Sequence, residues 1–143
     1  GGGVGRGEAS GQEGAVHCGG VELRVDLPEG APDQARRCDC SFCRRRAAPN
    51  ISVPLANVEI VKGADTLTLY QWNTGTAQHW FCSVCGIYTH HRRRSDPTEY
   101  GVNLGCLEGI NPADYEPIPW YDGVNHPSDA CTRPACKRWT IGA

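Results

Sequence analysis

Nine cysteines constrain this 143-residue chain more than any other feature of its sequence. Most of them are closely spaced: Cys38, Cys40 and Cys43 form one group, and Cys82 and Cys85 form a C-x-x-C pair. An odd number of cysteines leaves one thiol over in a closed set of disulfides. The sequence shows no charged-then-apolar leader, so we expect a reducing, cytoplasmic setting in which disulfides are rare. Tight cysteine spacing in that setting predicts metal binding.

The composition favours short strands joined by turns. Hydrophobic residues make up 39% of the chain, which also contains 18 glycines and 10 prolines. These values argue against a helix bundle and suggest that something besides apolar packing stabilises one domain. The net charge of −2 gives no overall signature of nucleic-acid binding. No apolar run approaches the length of a membrane span, so we expect no membrane partner.

Alternating apolar and polar residues predict strands over 21–25, 51–53, 58–60, 67–70, 78–82, 87–89 and 100–104. Strands at such intervals, with turn signals between them, are typical of an all-β domain. Residues 1–14 show no periodicity, and we expect a flexible tail over 1–13. A metal-binding domain over 14–125 and a C-terminal extension over 126–143 complete the predicted organisation.

Three thiolates at Cys38, Cys40 and Cys43 would repel one another unless a cation neutralised them. Zn²⁺ does so at about 2.3 Å from each sulfur. Three protein ligands and one open position are the pattern of a catalytic zinc, whereas four ligands are structural, and the spacing alone leaves both open.

Five arginines flank this group, namely Arg36, Arg37, Arg44, Arg45 and Arg46. Their positive field would lower the pKa values of the thiols and attract an anionic ligand. A solvated face and a nucleic-acid patch are the alternative interpretations.

The C-x-x-C pair Cys82 and Cys85, followed by Gly86, is half of a zinc knuckle. Cys18 is the natural third ligand, because the two glycines that follow it allow a tight backbone near a metal. His17, water or another cysteine could supply the fourth. A redox dithiol or two core cysteines are the alternatives for this pair.

Three more cysteines stand outside these groups. Cys106 is expected to be a buried core thiol. Cys131 and Cys136 could pair, contribute to a third metal site or stay free.

Several segments occur in an order and spacing that are specific only in combination. They are His17-Cys18-Gly19-Gly20-Val21, Cys38-x-Cys40-Ser41-x-Cys43, Tyr70-x-x-Asn73-Thr74-Gly75-Thr76-Ala77-x-His79, Phe81-Cys82-x-x-Cys85-Gly86, Arg94-Ser95-Asp96-Pro97, and Gly101-Val102-Asn103 leading to Cys106-Leu107. Over roughly residues 14–125, the chain resembles the glutathione-dependent formaldehyde-activating enzymes, a family that includes centromere protein V.

The resemblance implies a zinc-stabilised β-tent of mostly antiparallel short strands with little helix. It implies a catalytic zinc held by the Cys38, Cys40 and Cys43 thiolates. It also implies a structural zinc held by Cys82, Cys85 and an N-terminal C-x-C pair. This chain has Val16-His17-Cys18 at the N-terminal position, so Cys18 is present and one structural ligand is missing at Val16.

The implied activity is that of a carbon–sulfur lyase: a thiol such as glutathione adds to formaldehyde or a related small aldehyde and gives S-hydroxymethylglutathione. Arg44, Arg45 and Arg46 are candidates to bind the carboxylates of the thiol substrate, and His79 and Tyr88 are candidate general bases. The alternative function is a zinc-stabilised binding module without catalysis, and the net charge of −2 argues against nucleic acid as its partner.

Overall fold

The computed structural model describes residues 11–72, 75–94 and 96–123. In this part of the chain the strands are β1 Gly11–Ala15, β2 Glu22–Asp26, β3 Arg37–Cys38, β4 Asn50–Pro54, β5 Val58–Lys62, β6 Leu67–Tyr70, β7 Gln78–Cys82, β8 Tyr88–Arg92, β9 Glu99–Asn103 and β10 Trp120–Tyr121. One α-helical turn, α1 Cys43–Arg46, accompanies short 3₁₀ turns at Ala31–Gln34, Leu55–Asn57, Ala64–Thr66, Leu104–Cys106 and Pro112–Tyr115. The predicted all-β class with little helix is confirmed.

The strands form two main sheets, one in the order β1-β2-β5 and one in the order β4-β9-β8-β7-β6. Every pairing within these sheets is antiparallel. All seven strands expected from side-chain alternation are present as β2 and β4 to β9. The third sheet is a two-stranded parallel pairing of β10 with β3.

The main core lies between the two large sheets. Leu23 and Val25 of β2 pack in one buried cluster with Ile51 and Val53 of β4 and Val102 of β9. In β2 and β4 these side chains alternate with exposed ones, so one face of each strand is buried. Burying each such side chain contributes about 1.5–3 kcal/mol to folding.

Strand β1 corrects the expectation of a flexible tail for residues 11–13. Gly11–Ala15 pairs with β2 along its whole length, and the buried Gly14 forms a bridge with Leu107. A Cβ on Gly14 would lie 2.8 Å from the carbonyl oxygen of Cys106, so the position requires glycine. Because the inward position has no side chain, the strand has no hydrophobic alternation to reveal it.

Within the described residues, no helix has the length and apolar character needed to cross a membrane.

Candidate metal centre and its surroundings

The first candidate site is the Cys38 cluster, which comprises Cys38, Cys40 and Cys43. Cys38 ends β3, Cys40 lies in the following loop, and Cys43 begins α1. The three Sγ atoms all lie within 4.8 Å of one another, and each cysteine is partly buried and free of disulfides. The backbone N–H of Cys43 donates to Cys40 Sγ at 3.2 Å. The fold therefore brings together the three sulfurs that the spacing predicted.

Within this cluster the protons are shared unequally. Hydrogen bonds from the Cys38 and Cys43 thiols lower the pKa of Cys40. The hydrogen bond to Cys40 raises the pKa of Cys38, and the hydrogen bonds with Cys38 and Cys40 raise that of Cys43; desolvation adds to both increases. A cation bound by all three sulfurs must displace the remaining protons, so metal affinity at this cluster rises with pH.

A C-terminal strap, residues 120–123, covers the Cys38 cluster. In the register of β10 with β3, Tyr121 lies beside Cys38. The Gly123 N–H donates to Asp39 Oδ1 at 2.8 Å. A Cβ on Gly123 would lie 2.2 Å from Cys38 Sγ, so the strap approaches the sulfur as closely as a glycine allows.

Aromatic rings form one wall beside the Cys38 cluster. The Phe42 ring, from the loop between Cys40 and Cys43, lies 4.7 Å from the Trp72 ring and 5.6 Å from the Tyr70 ring, measured between centroids. Its third partner is His79 of β7, in an edge contact at 4.6 Å. Tyr70 is 45% exposed, so the wall runs from solvent to the buried imidazole.

The three arginines of α1 take different positions. Arg44 and Arg45 are exposed, and Arg45 donates to the carbonyl oxygen of Ser41. Arg46 turns inward: its Cζ lies 3.4 Å from the ring centroid of Tyr88, and its Nη2 lies 4.0 Å from Cys43 Sγ. The predicted set therefore divides into two surface cations and one cation packed beside a sulfur.

Of the two candidate bases, Tyr88 is occupied by structural hydrogen bonds. Its hydroxyl lies 2.6 Å from Asn50 Oδ1 and 2.6 Å from His91 Nδ1. Asn50 orients its amide by donating from Nδ2 to the Ala48 carbonyl, so its Oδ1 accepts from Tyr88 and the Tyr88 oxygen accepts from His91. Burial raises the pKa of Tyr88, which keeps the phenol protonated. A buried, protonated phenol whose hydroxyl already donates one hydrogen bond and accepts another is a poor general base.

The other candidate base, His79, is buried, with 4% of its surface exposed. It pairs across β7 and β8 with His91, and the two imidazoles stack at 4.9 Å. Burial, followed by the positive charge of Arg46, lowers the pKa of His79 to about 3, so the imidazole is neutral at pH 7.

The second candidate site is the Cys18 cluster, which comprises Cys18, Cys82 and Cys85. Cys18 lies in the turn between β1 and β2, and the other two lie at the turn between β7 and β8. All three Sγ atoms lie within 4.8 Å of one another, and Cys18 Sγ is 3.7 Å from Cys82 Sγ. Gly86 has a φ of 80° and donates its N–H to the Cys82 carbonyl, which closes the predicted knuckle turn.

Backbone N–H groups donate hydrogen bonds to sulfur atoms of the Cys18 cluster and so stabilise negative charge on them. Gly20 N–H donates to Cys18 Sγ, and Val84 N–H donates to Cys82 Sγ, each at 3.4 Å. Desolvation raises the pKa of Cys85, but hydrogen bonds from the Cys18 and Ile87 backbone outweigh it and lower that pKa to about 7. The thiolate form of Cys85 is therefore favoured, whereas at Cys18 the Gly20 N–H bond is outweighed by desolvation and by the neighbouring Cys82 and Cys85, which raise the pKa of that thiol.

Among the described residues, none adds a fourth ligand to the Cys18 cluster. His17 is exposed and does not lie with the three sulfurs, and neither does the buried Cys106. Val16, 4% exposed, packs in an apolar cluster with Cys82, and Cys85 lies against the same cluster. The position where the resemblance implies a cysteine therefore holds an apolar side chain in the cluster that includes Cys82.

The donor set of both clusters fits Zn²⁺. Tetrahedral ligands at about 2.3 Å from zinc place two sulfurs about 3.8 Å apart. The 3.7 Å between Cys18 and Cys82 matches that separation and is far from a disulfide bond of about 2.05 Å.

Sequence patterns did not reveal four residues around the Cys38 cluster. His91 and Asn50 hold Tyr88, and Gly123 covers Cys38. Gly101 belongs with them, because a Cβ there would lie 2.4 Å from the His91 ring. The sequence alone does not show which strands pair, so it could not place these residues beside the cluster.

Cys131 and Cys136 lie outside the described residues.

Comparison with known proteins identifies one family and one similar solved structure. The sequence model of the family described as glutathione-dependent formaldehyde-activating enzyme matches residues 12–119. A protein of Halomonas elongata, provisionally named as such an enzyme, is 38% identical over 82 residues, which are 51% of this chain and 50% of that protein. The chain thus spans about half the length of this curated relative. A crystal structure of a Rhodobacter sphaeroides protein, solved as a structural genomics target, is 58% identical with a TM-score of 0.73, and the match covers 76% of this chain and 99% of that one.

Proposed function

This chain belongs to the glutathione-dependent formaldehyde-activating enzyme family, and from that premise we propose that it adds the thiol of glutathione, or a similar thiol, to formaldehyde. The observation that carries the proposal is the Cys38 cluster, three converging sulfurs with no fourth protein ligand among the described residues. A three-ligand set is the arrangement of catalytic rather than structural zinc.

The Cys38, Cys40 and Cys43 sulfurs would hold the zinc ion. When bound, zinc favours the thiolate form of a thiol substrate at neutral pH, which makes it a nucleophile. The Cys43 N–H bond to Cys40 and the nearby Arg46 guanidinium stabilise negative charge on the cluster. These contacts keep the ligand sulfurs in place.

The surrounding residues would bind and shield the substrates. Arg44 and Arg45 lie on the exposed side of α1, where they can pair with the carboxylates of a peptide thiol. The wall formed by Phe42, Trp72 and Tyr70 would limit access of water beside the cluster. Since thiols add to formaldehyde without a catalyst, holding the two reactants together is the main contribution.

The Cys18 cluster also has three sulfurs among the described residues, but its position in the fold supports a structural role. It connects the turn after β1 to the turn after β7, and therefore links the two main sheets. A structural zinc site contributes about 10–16 kcal/mol in small zinc-binding domains.

The test compares the full chain with its Cys40→Ser and Cys106→Ala variants. Metal content is measured by mass spectrometry, glutathione binding by calorimetry and formaldehyde turnover by ¹³C NMR. We expect Cys40→Ser to lose about one zinc per chain, glutathione binding and turnover. Cys106→Ala, the control, removes a thiol outside both clusters and should retain all three.

A wild-type protein that contains zinc but neither binds glutathione nor accelerates the reaction would contradict the proposal and leave the binding-module alternative. Turnover that survives Cys40→Ser would show that the chemistry occurs elsewhere.

A further inference from the structure

Two buried nitrogen atoms beside the Cys38 cluster have no hydrogen-bond partner: His79 Nδ1 and Arg46 Nε. They are the only such side-chain atoms in the part of the chain that the structure describes. Burying an unpaired polar group costs stability, so such a group in a native fold calls for an explanation. A ligand that supplies the missing acceptor is one explanation.

The two atoms belong to one locus. The Phe42 ring contacts both side chains, with Arg46 Cζ 4.7 Å and the His79 centroid 4.6 Å from its centroid. Arg46 reaches to 4.0 Å from Cys43 Sγ. Phe42 precedes Cys43 directly, so the imidazole that its ring contacts lies beside the cluster.

The sheet holds His79 rigidly in that place. Tyr70, His79, His91 and Gly101 are opposite one another on neighbouring strands and form a single row across β6, β7, β8 and β9. Gly101 leaves room for the His91 ring, and His91 stacks on His79. His91 is fixed in turn by Tyr88, at 2.6 Å. An imidazole held in this way is preorganised to donate a hydrogen bond.

We propose that His79 Nδ1, together with Arg46 Nε, binds the oxygen atom of the aldehyde during thiol addition. The inference rests on the proposed function and names the part of the site that receives the second substrate. In that step a C–S bond forms and the C=O π bond breaks. Its electron pair passes to the oxygen, and the proton released by the thiol ends on that oxygen.

The chemistry of the two nitrogens suits this role. The Nε–H of arginine can only donate, and a neutral histidine donates from one ring nitrogen. Both therefore match an oxygen that gains negative charge as the bond forms. Such a donor contributes more to the transition state than to the bound aldehyde.

The test replaces His79 by Phe, which retains a ring in the stack but removes both nitrogens, and by Asn, whose amide N–H can take the place of Nδ1–H. His90→Phe is the matched control. His90 is buried on the neighbouring row of the sheet, where its Nδ1 is already paired with Thr89 Oγ1 at 2.8 Å. Adjacent rows face opposite sides of a sheet, so His90 does not face the Cys38 cluster.

The readouts are zinc content, glutathione affinity, urea unfolding and exchange between free ¹³C-formaldehyde and its glutathione adduct by NMR. We expect His79→Phe to lower kcat about 100-fold or more, with unchanged zinc content and glutathione affinity. Its unfolding midpoint should be equal or higher, because an unpaired polar atom is removed. His79→Asn should recover part of the rate, and His90→Phe should retain it.

The outcomes separate the inference from the proposed function. If wild type accelerates exchange and His79→Phe matches it, the inference is overturned and the proposed function stands. A His79→Phe variant that loses stability and rate together, without rescue by Asn, assigns His79 a structural role and also overturns it. A wild type without acceleration overturns both.

Discussion

Gly123→Ala tests whether the C-terminal strap holds the Cys38 cluster in its metal-binding geometry. The added Cβ would lie 2.2 Å from Cys38 Sγ and 3.0 Å from the backbone nitrogen of Cys40. Nonbonded heavy atoms pack at about 3.5–4.0 Å, so the sulfur or the strap must move by about 1.5 Å. Ligand positions in metal sites are held to within about 0.2 Å. The predicted displacement is several times larger than that tolerance.

We expect Gly123→Ala to weaken zinc binding at this cluster about 100-fold, at the upper end of the effect of changes around metal ligands. The assay is a competition titration with a chromophoric chelator, with zinc per chain as the second readout. Gly105→Ala is the control, because its Cβ would meet its nearest neighbour, Asn103 Oδ1, at 3.4 Å. Zinc affinity equal to that of wild type would show that the strap yields instead of Cys38 and would refute the reasoning.

Further predictions concern the second cluster, the buried tyrosine and a core histidine. Val16→Cys should supply a fourth thiolate to the Cys18 cluster. A tenfold gain in zinc affinity would raise the melting temperature of the zinc-loaded protein by about 3–5 °C. The matched control, Val16→Ala, should not bind zinc more tightly. Chelation of zinc should lower that temperature sharply, and an unchanged melting curve would argue against a structural metal. Tyr88→Phe leaves the Asn50 and His91 groups unpaired and should cost about 1–3 kcal/mol in urea unfolding; no loss would contradict the hydrogen-bond assignment. Burial lowers the pKa of His90 to about 4, so the unfolded chain binds the proton first as pH falls below about 6.5, and stability should decline by about 1.4 kcal/mol per pH unit until about pH 4. His90→Gln should remove that part of the slope between pH 7 and 5, and an unchanged slope would be evidence against it.

The sequence predicted the parts of the fold that leave a local side-chain pattern. The strands β2 and β4 to β9 alternate apolar and polar residues, and the two cysteine groups follow the spacing of knuckle turns. Strand β1 escaped because its buried position is Gly14, which contributes backbone pairing but no side chain. The strap was not predicted because β10 and β3 are only two residues long, too short to show a periodic side-chain pattern. They also lie more than eighty positions apart in the sequence.

The candidate site was predictable to the same extent. The sulfurs of Cys38, Cys40 and Cys43, and those of Cys82 and Cys85, were identified correctly as neighbours, since their spacing is a property of a turn; Cys18, which is distant in sequence, was assigned to its cluster from the two glycines that follow it. The different positions of Arg44 and Arg46 could not be predicted, because three consecutive arginines are equivalent in sequence. They differ in the structure because the Tyr88 and Phe42 rings pack against Arg46. The row that holds His79 also depends on strand register.

The two cysteine clusters differ in what they connect, and this difference predicts which of them contributes more to stability. The Cys18 cluster joins turns that belong to different sheets, whereas the Cys38 cluster joins residues within six positions of one another. Loop-closure entropy makes a long-range link more stabilising than a local one. Metal at the Cys18 cluster should therefore dominate the melting temperature. Under the proposed function, metal at the Cys38 cluster, where the three ligands are already neighbours along the chain, would instead bind an exchangeable substrate. The missing ligand at Val16 then matters for the stability of the fold more than for the chemistry.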